Sequence, residues 1–192
     1  MNREQWLMES VKMLTPLFGK LNKEIPAKLR ASCGFPSKNP LGMGKRSIGE
    51  CWPITVSTDG THELFVSPTI DEPLEVLGVL VHEVVHAVVG TKEKHAGMFK
   101  IVATAIGLEG KMTATTVGYR LQEPLKRISE KLGPYPHKKI DCSKMEKKKK
   151  ESNPLVKAVC PDCEYLVKIK PELVAEFGLP TCPCGTEFQL DE

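Results

Sequence analysis

The sequence predicts an α+β chain in two parts, and three observations carry that expectation. One apolar stretch of helical length, Leu74–Gly90 (LEVLGVLVHEVVHAVVG), holds His82, Glu83 and His86 in its middle. Before it, short β-branched and aromatic runs are broken by Gly, Pro and Asp-Gly, the pattern of small strands joined by turns. Near the C-terminus, four of the seven cysteines stand in two tight pairs. The expected architecture is a small antiparallel sheet packed on the apolar helix, with further helices around it and a small cysteine-held module behind. A chain of 192 residues, 41% hydrophobic and 27% charged, can bury one sizeable core with an appendage. It has no run of eighteen apolar residues, and MNREQWLMES lacks a basic segment leading into an apolar one. No membrane contact is expected, and the expected location is the cytoplasm.

In chain order, residues 2–23 read as a helix, with Trp6, Leu7, Val11, Leu14, Phe18 and Leu21 at spacings of three and four and a kink at Pro16. Leu29–Cys33 reads as a strand, and a long Gly- and Pro-rich loop leads to a second strand start near Ile48. Trp52–Ser57 and Glu63–Ser67 read as two strands joined by a turn at Asp59-Gly60. The second runs towards the apolar helix, where an open strand edge could hold an extended peptide. Asp71 is the expected cap of that helix, Pro73 suits its first turn and Gly90 its end. Ala96–Leu108 reads as a second helix and Leu121–Leu132 as a third, broken by Gly133-Pro134. His62 reads as a turn residue and His137 as a surface one.

The chemistry lies in the spacing H-E-x-x-H. On a helix, residues four apart lie one above the other, so His82 and His86 can offer two imidazole nitrogens to one ion. Burying three ionisable groups in an apolar helix is costly unless a partner is present, and zinc is the expected one. A catalytic zinc wants three protein ligands and an open position for water. His95 is the natural third ligand, at the start of the second helix, and Glu93 and Glu109 are the competing choices. Glu83, one residue past the first ligand, projects beside the metal and is the expected catalytic base for the water at the open position.

Cys160-x-x-Cys163 and Cys182-x-Cys184 can direct four thiolates to a second, structural zinc, with Tyr165–Ile169 and Glu187–Leu190 as strands of a zinc ribbon. About forty residues make too small a core to fold without metal. Between the two parts, residues 138–150 (KKIDCSKMEKKKK) hold seven Lys against Asp141 and Glu146, in a chain whose whole net charge is +3. This segment reads equally as a solvated tether or as a phosphate-binding strip of Lys144, Lys147, Lys148, Lys149 and Lys150. The expected division is 1–137, a basic linker 138–154, and a ribbon 155–192.

The segment HEVVHAVVGTKEKHAGMFK resembles the metal-binding core of the SprT-like (Spartan-like) family, an H-E-x-x-H helix followed by a third His with Gly and Phe close behind. Here these are His82, Glu83, His86, His95, Gly97 and Phe99, with Ala96 between His95 and Gly97 where the family often has His-Gly directly. That family commonly carries a C-terminal zinc ribbon, where Cys160, Cys163, Cys182 and Cys184 stand. The resemblance implies a zincin-like metallopeptidase domain with His82, His86 and His95 as ligands and Glu83 as base. In some members it also implies DNA-dependent cleavage of proteins bound or crosslinked to DNA. The expected partners are therefore a protein substrate and DNA, the latter held through the basic linker and ribbon. The alternative is a non-catalytic, zinc-containing module that binds nucleic acid.

Overall fold

The computed structural model describes residues 1–41, 46–144 and 155–191. Helix α1 (Arg3–Gly19) begins at a capping box: Asn2 Oδ1 accepts from the Gln5 N–H at 2.8 Å, and the Gln5 side chain accepts from the Asn2 N–H at 2.9 Å. It is shorter than the expected 2–23 and passes through Pro16, which sits on the solvent side, so the carbonyl left unpaired one turn earlier meets water. Trp6, Leu7, Val11, Leu14 and Phe18 form its buried face.

Strands β1 (Leu29–Cys33), β2 (Gly49–Trp52) and β3 (His62–Val66) form a sheet in the order β1-β3-β2. β2 is antiparallel to β3 but β1 is parallel to it, so the sheet is mixed, which corrects the antiparallel expectation. Parallel neighbours need a crossover, and the chain between Cys33 and His62, β2 included, supplies it. β2 also lies earlier than the expected strand over Trp52–Ser57. Pro53 has no N–H to offer a ladder, and the Val56 N–H turns back to the Pro53 carbonyl at 3.1 Å. Ile54 and Val56, whose alternation suggested a strand, stand exposed in that turn. His62 opens β3, paired with Leu29.

Helix α2 (Pro73–Val89) is the apolar stretch. Its cap is Glu72, whose side chain accepts from the Glu75 N–H at 2.7 Å, and not Asp71, which accepts from the Lys139 N–H at 3.3 Å. The sheet, α1 and four later elements surround α2, so Val76, Leu77, Leu80, Val81, Val84 and Val85 are fully buried. Each contributes about 1.5–3 kcal/mol of burial, which explains why a helix with no polar face is stable here.

Helix α3 (Gly97–Ile106) leads through Gly107 into a hairpin of β4 (Leu108–Lys111) and β5 (Ala114–Val117), which the sequence reading missed. Helix α4 (Tyr119–Leu132) then buries Leu121, Leu125 and Ile128, and its C-terminal Gly133 carbonyl accepts from Trp6 Nε1 at 3.1 Å. Gly107 has φ +105°, and a Cβ there would lie 2.9 Å from Leu121 Cβ and 3.1 Å from its amide nitrogen. Gly107→Ala is expected to destabilise by about 1–3 kcal/mol, read as a lower denaturant midpoint at unchanged m-value.

The chain divides into two compact units, Met1–Met145 and Glu146–Glu192. The start of the expected linker is held to the first unit: the Ile140 N–H reaches the Pro68 carbonyl at 2.8 Å, and His137 Nε2 donates to the same carbonyl at 2.9 Å. His137 is thus a pin and not a free surface residue. The second unit holds β6 (Val156–Val159), β7 (Leu166–Ile169), the short helix α5 (Pro171–Phe177) and β8 (Gln189–Leu190), with sheet order β7-β6-β8. The two expected ribbon strands correspond to β7 and β8, while β6 and α5 were not anticipated. The whole is a mixed α+β chain with small sheets and, among the described residues, five α-helices. No helix among those residues is long and apolar enough to cross a membrane.

Candidate metal centres

The helical spacing does what it promised, and the turn after α2 completes it. Gly90 ends the helix at φ 91°, a single 3-10 turn follows at Thr91–Glu93, and His95 folds back over the imidazoles of His82 and His86. Nε2 of His95 lies 3.2 Å from Nε2 of His82 and 3.2 Å from Nε2 of His86. One ring nitrogen carries at most one hydrogen, so it cannot serve both neighbours as a donor. Three nitrogens around a tetrahedral metal at its usual bond length would stand about 3.3 Å apart, the spacing found. Burial lowers the pKa of all three, His82 to about 4 and His86 to about 3, with mutual repulsion adding for both. The three rings are therefore neutral, with lone pairs that converge, and together they could hold a metal ion.

The competing carboxylates are engaged elsewhere. Glu93 Oε2 accepts from the Met98 N–H at 3.1 Å and so satisfies the free N-terminus of α3, a role Ala96 cannot fill. A side chain on Gly97 would collide with that carboxylate. Glu109 lies beside Gly118, the residue before α4, where its carboxyl fills the space a Gly118 side chain would need. Neither belongs to the histidine group.

Two residues that hold the ligands had only weak signals in the sequence. A metal on Nε2 requires the hydrogen of His82 on Nδ1, and Thr115 Oγ1 on β5 stands 2.8 Å from that atom to accept it. Phe99, fully buried, stacks on His86 at a centroid distance of 4.2 Å and meets His82 and His95 edge-on at 4.9 and 5.1 Å. It is the apolar floor that fixes all three rings. Thr115→Val keeps the shape but removes the acceptor, and is expected to weaken metal affinity about 10–100-fold in a competition titration with a chromophoric chelator.

Glu83 is 5% exposed, on the same helix face, with its carboxyl against the backbone of Gly49 at the start of β2. A Cβ on Gly49 would collide with it. Burial, then the charge of Glu50, push its pKa up to about 8. Above the histidines opens a cleft of about 1080 Å³ lined by Gly49, Glu83, Thr115 and the three rings among others. α2 is its floor, with β2 on the side of Val79 and Glu83 and the β4–β5 hairpin on the side of Gly78 and His82. β3 is paired on both sides, so the free strand edge at this cleft belongs to β2 and not to the strand expected to carry it.

The second unit brings its four thiols together. Cys160 Sγ lies 3.4 Å from Cys184 Sγ, and Cys163 Sγ lies 3.5 Å from Cys182 Sγ. These spacings are far beyond a disulfide and close to the about 3.8 Å of thiolates around a tetrahedral metal. Each pair sits on a tight turn with one left-handed residue, Glu164 at φ 59° and Gly185 at φ 98°, which accommodates the short Cys182-x-Cys184 gap. Backbone N–H groups of Tyr165, Cys184 and Thr186 bond to the sulfurs of Cys163, Cys182 and Cys184; Cys184 falls to about 6, while burial and the neighbouring sulfurs outweigh those bonds at Cys163 and Cys182 and leave both thiols raised. The buried core here is Ala158, Cys160, Cys182 and Phe188, so half of it is ligand.

Of the expected nucleic-acid strip, Lys144 sits in a short 3-10 turn, 3.7 Å from the Asp141 carboxylate, and Lys147, Lys148, Lys149 and Lys150 lie outside the described residues. Between Leu155 and Asp191 the second unit carries three lysines against six acidic residues. Comparison of the chain with protein-family models, curated proteins and solved structures finds no match.

Proposed function

We propose that this chain is a zinc-dependent endopeptidase of the SprT-like type, with a zincin-like first unit and a zinc ribbon as its second. The observation that carries this reading is the convergence of three neutral imidazole nitrogens beside a buried carboxyl, in an open cleft walled by a free strand edge. Three imidazoles and no carboxylate form the donor set of a catalytic zinc that keeps its full charge, and four thiolates that of a closed structural one. A bound zinc ion would supply Lewis acidity to the scissile carbonyl and to the attacking water.

The residues then divide the work. The edge of β2 offers backbone N–H and C=O groups to an extended substrate and lays its scissile bond across the histidines. Burial alone favours the neutral acid, and the charge of a bound zinc ion beside it would favour the carboxylate. In that form Glu83 takes the proton of the attacking water and gives it to the leaving amine as the C–N bond breaks, ending as the carboxylate again. Thr115 and Phe99 keep the imidazoles aimed. DNA-associated protein is the substrate class the resemblance implies. The lysine segment after residue 143, together with the ribbon, would carry the DNA contact.

Elemental analysis of the purified chain and of His95→Ala, with cleavage of a DNA-bound protein measured on the same samples with and without DNA, tests this reading. Two zinc ions per chain, one in the variant, and DNA-stimulated cleavage lost with it are the expected results. Two zinc ions with no cleavage under any condition would overturn the peptidase reading in favour of a nucleic-acid-binding module.

A further inference from the structure

We infer that the cleft over the histidines takes an acidic polypeptide segment, with Asp or Glu side chains flanking the bond presented to the metal site. This inference rests on the peptidase reading for the word substrate, but its binding part stands by itself. The cleft walls carry Lys38, Arg46, Lys94 and Lys111, all exposed. None of them forms an ion pair among the described residues, where the six pairs are made by others. Arg46 has only the more distant pull of Glu75. Two carboxylates also line the cleft, fewer than the four cations. Glu83 is buried in the floor, and Glu50 is occupied by the Ser37 N–H and hydroxyl and by Trp52 Nε1. An excess of charge of one sign on the walls of a concave, low-dielectric site focuses its field on whatever enters.

Lys94 adds a second kind of observation. It stands immediately before His95 at φ 50° and ψ −117°, a backbone region that glycine occupies freely and a lysine only with strain. The chain thus keeps a cation at the rim beside the third ligand although a smaller residue would fit the turn better.

A polypeptide is favoured over nucleic acid by the shape and chemistry of the walls. The cations come from three elements on opposite sides of a concave cleft, and do not form a stripe along an open face. The edge of β2 offers the alternating N–H and C=O groups that an extended peptide can match and a phosphodiester cannot. Side chains of an added strand alternate, so acidic residues two apart would face the same wall.

The test uses the full-length, zinc-loaded chain as Glu83→Gln, which holds a peptide without cutting it. Fluorescence anisotropy would measure binding of three labelled, unstructured peptides of equal length, with Glu, Lys or Ser at alternate positions. At least tenfold tighter binding of the Glu peptide is expected. At least tenfold loss of it is expected in Lys38→Glu/Lys111→Glu with both zinc ions retained, and not in Lys147→Glu/Lys148→Glu. Equal binding of the Glu and Ser peptides, or loss only with the second pair, would overturn the inference. So would a single-stranded oligonucleotide that binds more tightly than the Glu peptide and depends on Lys38 and Lys111. The unsubstituted chain, incubated with a mixed peptide library, separates the two claims. Glu83-dependent cuts without Asp or Glu enrichment around them sink this inference alone. Selective binding of the Glu peptide without Glu83-dependent cuts upholds the acidic ligand and sinks the peptidase reading.

Discussion

Glu83→Gln is expected to keep both zinc ions and to lose about 10²–10⁴-fold in hydrolysis, the range for removing a positioned general base. The amide has the size of the carboxyl and fits the same space against Gly49, so the helix, the three imidazoles and the cleft should be undisturbed. It cannot take up a proton from water at neutral pH. Among the described residues the two carboxylates nearest in sequence do not stand in for it: Glu93 accepts from the Met98 N–H, and neither Glu93 nor Glu109 belongs to the histidine group. kcat should carry the loss, with KM little changed, because the β2 edge that holds the substrate backbone is intact. Gly49→Ala should approach the same result by another route: the new methyl pushes the carboxyl aside while leaving it in place chemically. Retained activity in Glu83→Gln at full zinc content would remove Glu83 from the mechanism.

Removing metal from the second unit is the other large effect. Its buried core is Ala158, Cys160, Cys182 and Phe188. The apolar members contribute only about 2–4 kcal/mol of burial, whereas a four-thiolate zinc site in a small module supplies about 10–16 kcal/mol at neutral pH. Cys160→Ser, or a strong chelator, is therefore expected to unfold β6–β8 completely while the first unit stays folded on its own large core. The measurement is the amide region of the NMR spectrum: resonances of residues 155–191 should collapse to random-coil positions and those of the first unit should keep their dispersion. Persistence of the β6 and β7 resonances after chelation would show that the metal is dispensable for this fold.

How much of this was legible beforehand can be judged residue by residue. His82, Glu83 and His86 could be placed on one helix face because that relation is local, set by 3.6 residues per turn. The cysteine pairs were equally local, since each closes a turn of a few residues. The strand over Trp52–Ser57 misled because alternation of Trp52, Ile54 and Val56 imitates a half-buried strand, and the missing N–H of Pro53 outweighs it. The β4–β5 hairpin was missed although Thr115, Thr116 and Val117 are β-branched, because its flanks are polar and only its packing on α2 makes it a strand pair.

The sequence by itself determined the helix that carries His82, Glu83 and His86, the two candidate metal-ligand sets in outline and the α+β class, all of which depend on spacing within one element or one turn. Only the tertiary structure decided the rest. Glu93 is withdrawn from the site by the N-terminus of α3, β1 joins the sheet parallel through a crossover, and Thr115 arrives from a hairpin thirty-three positions beyond His82. The reason is physical: these choices rest on which backbone groups are left unsatisfied when distant segments pack, and no local periodicity records that competition.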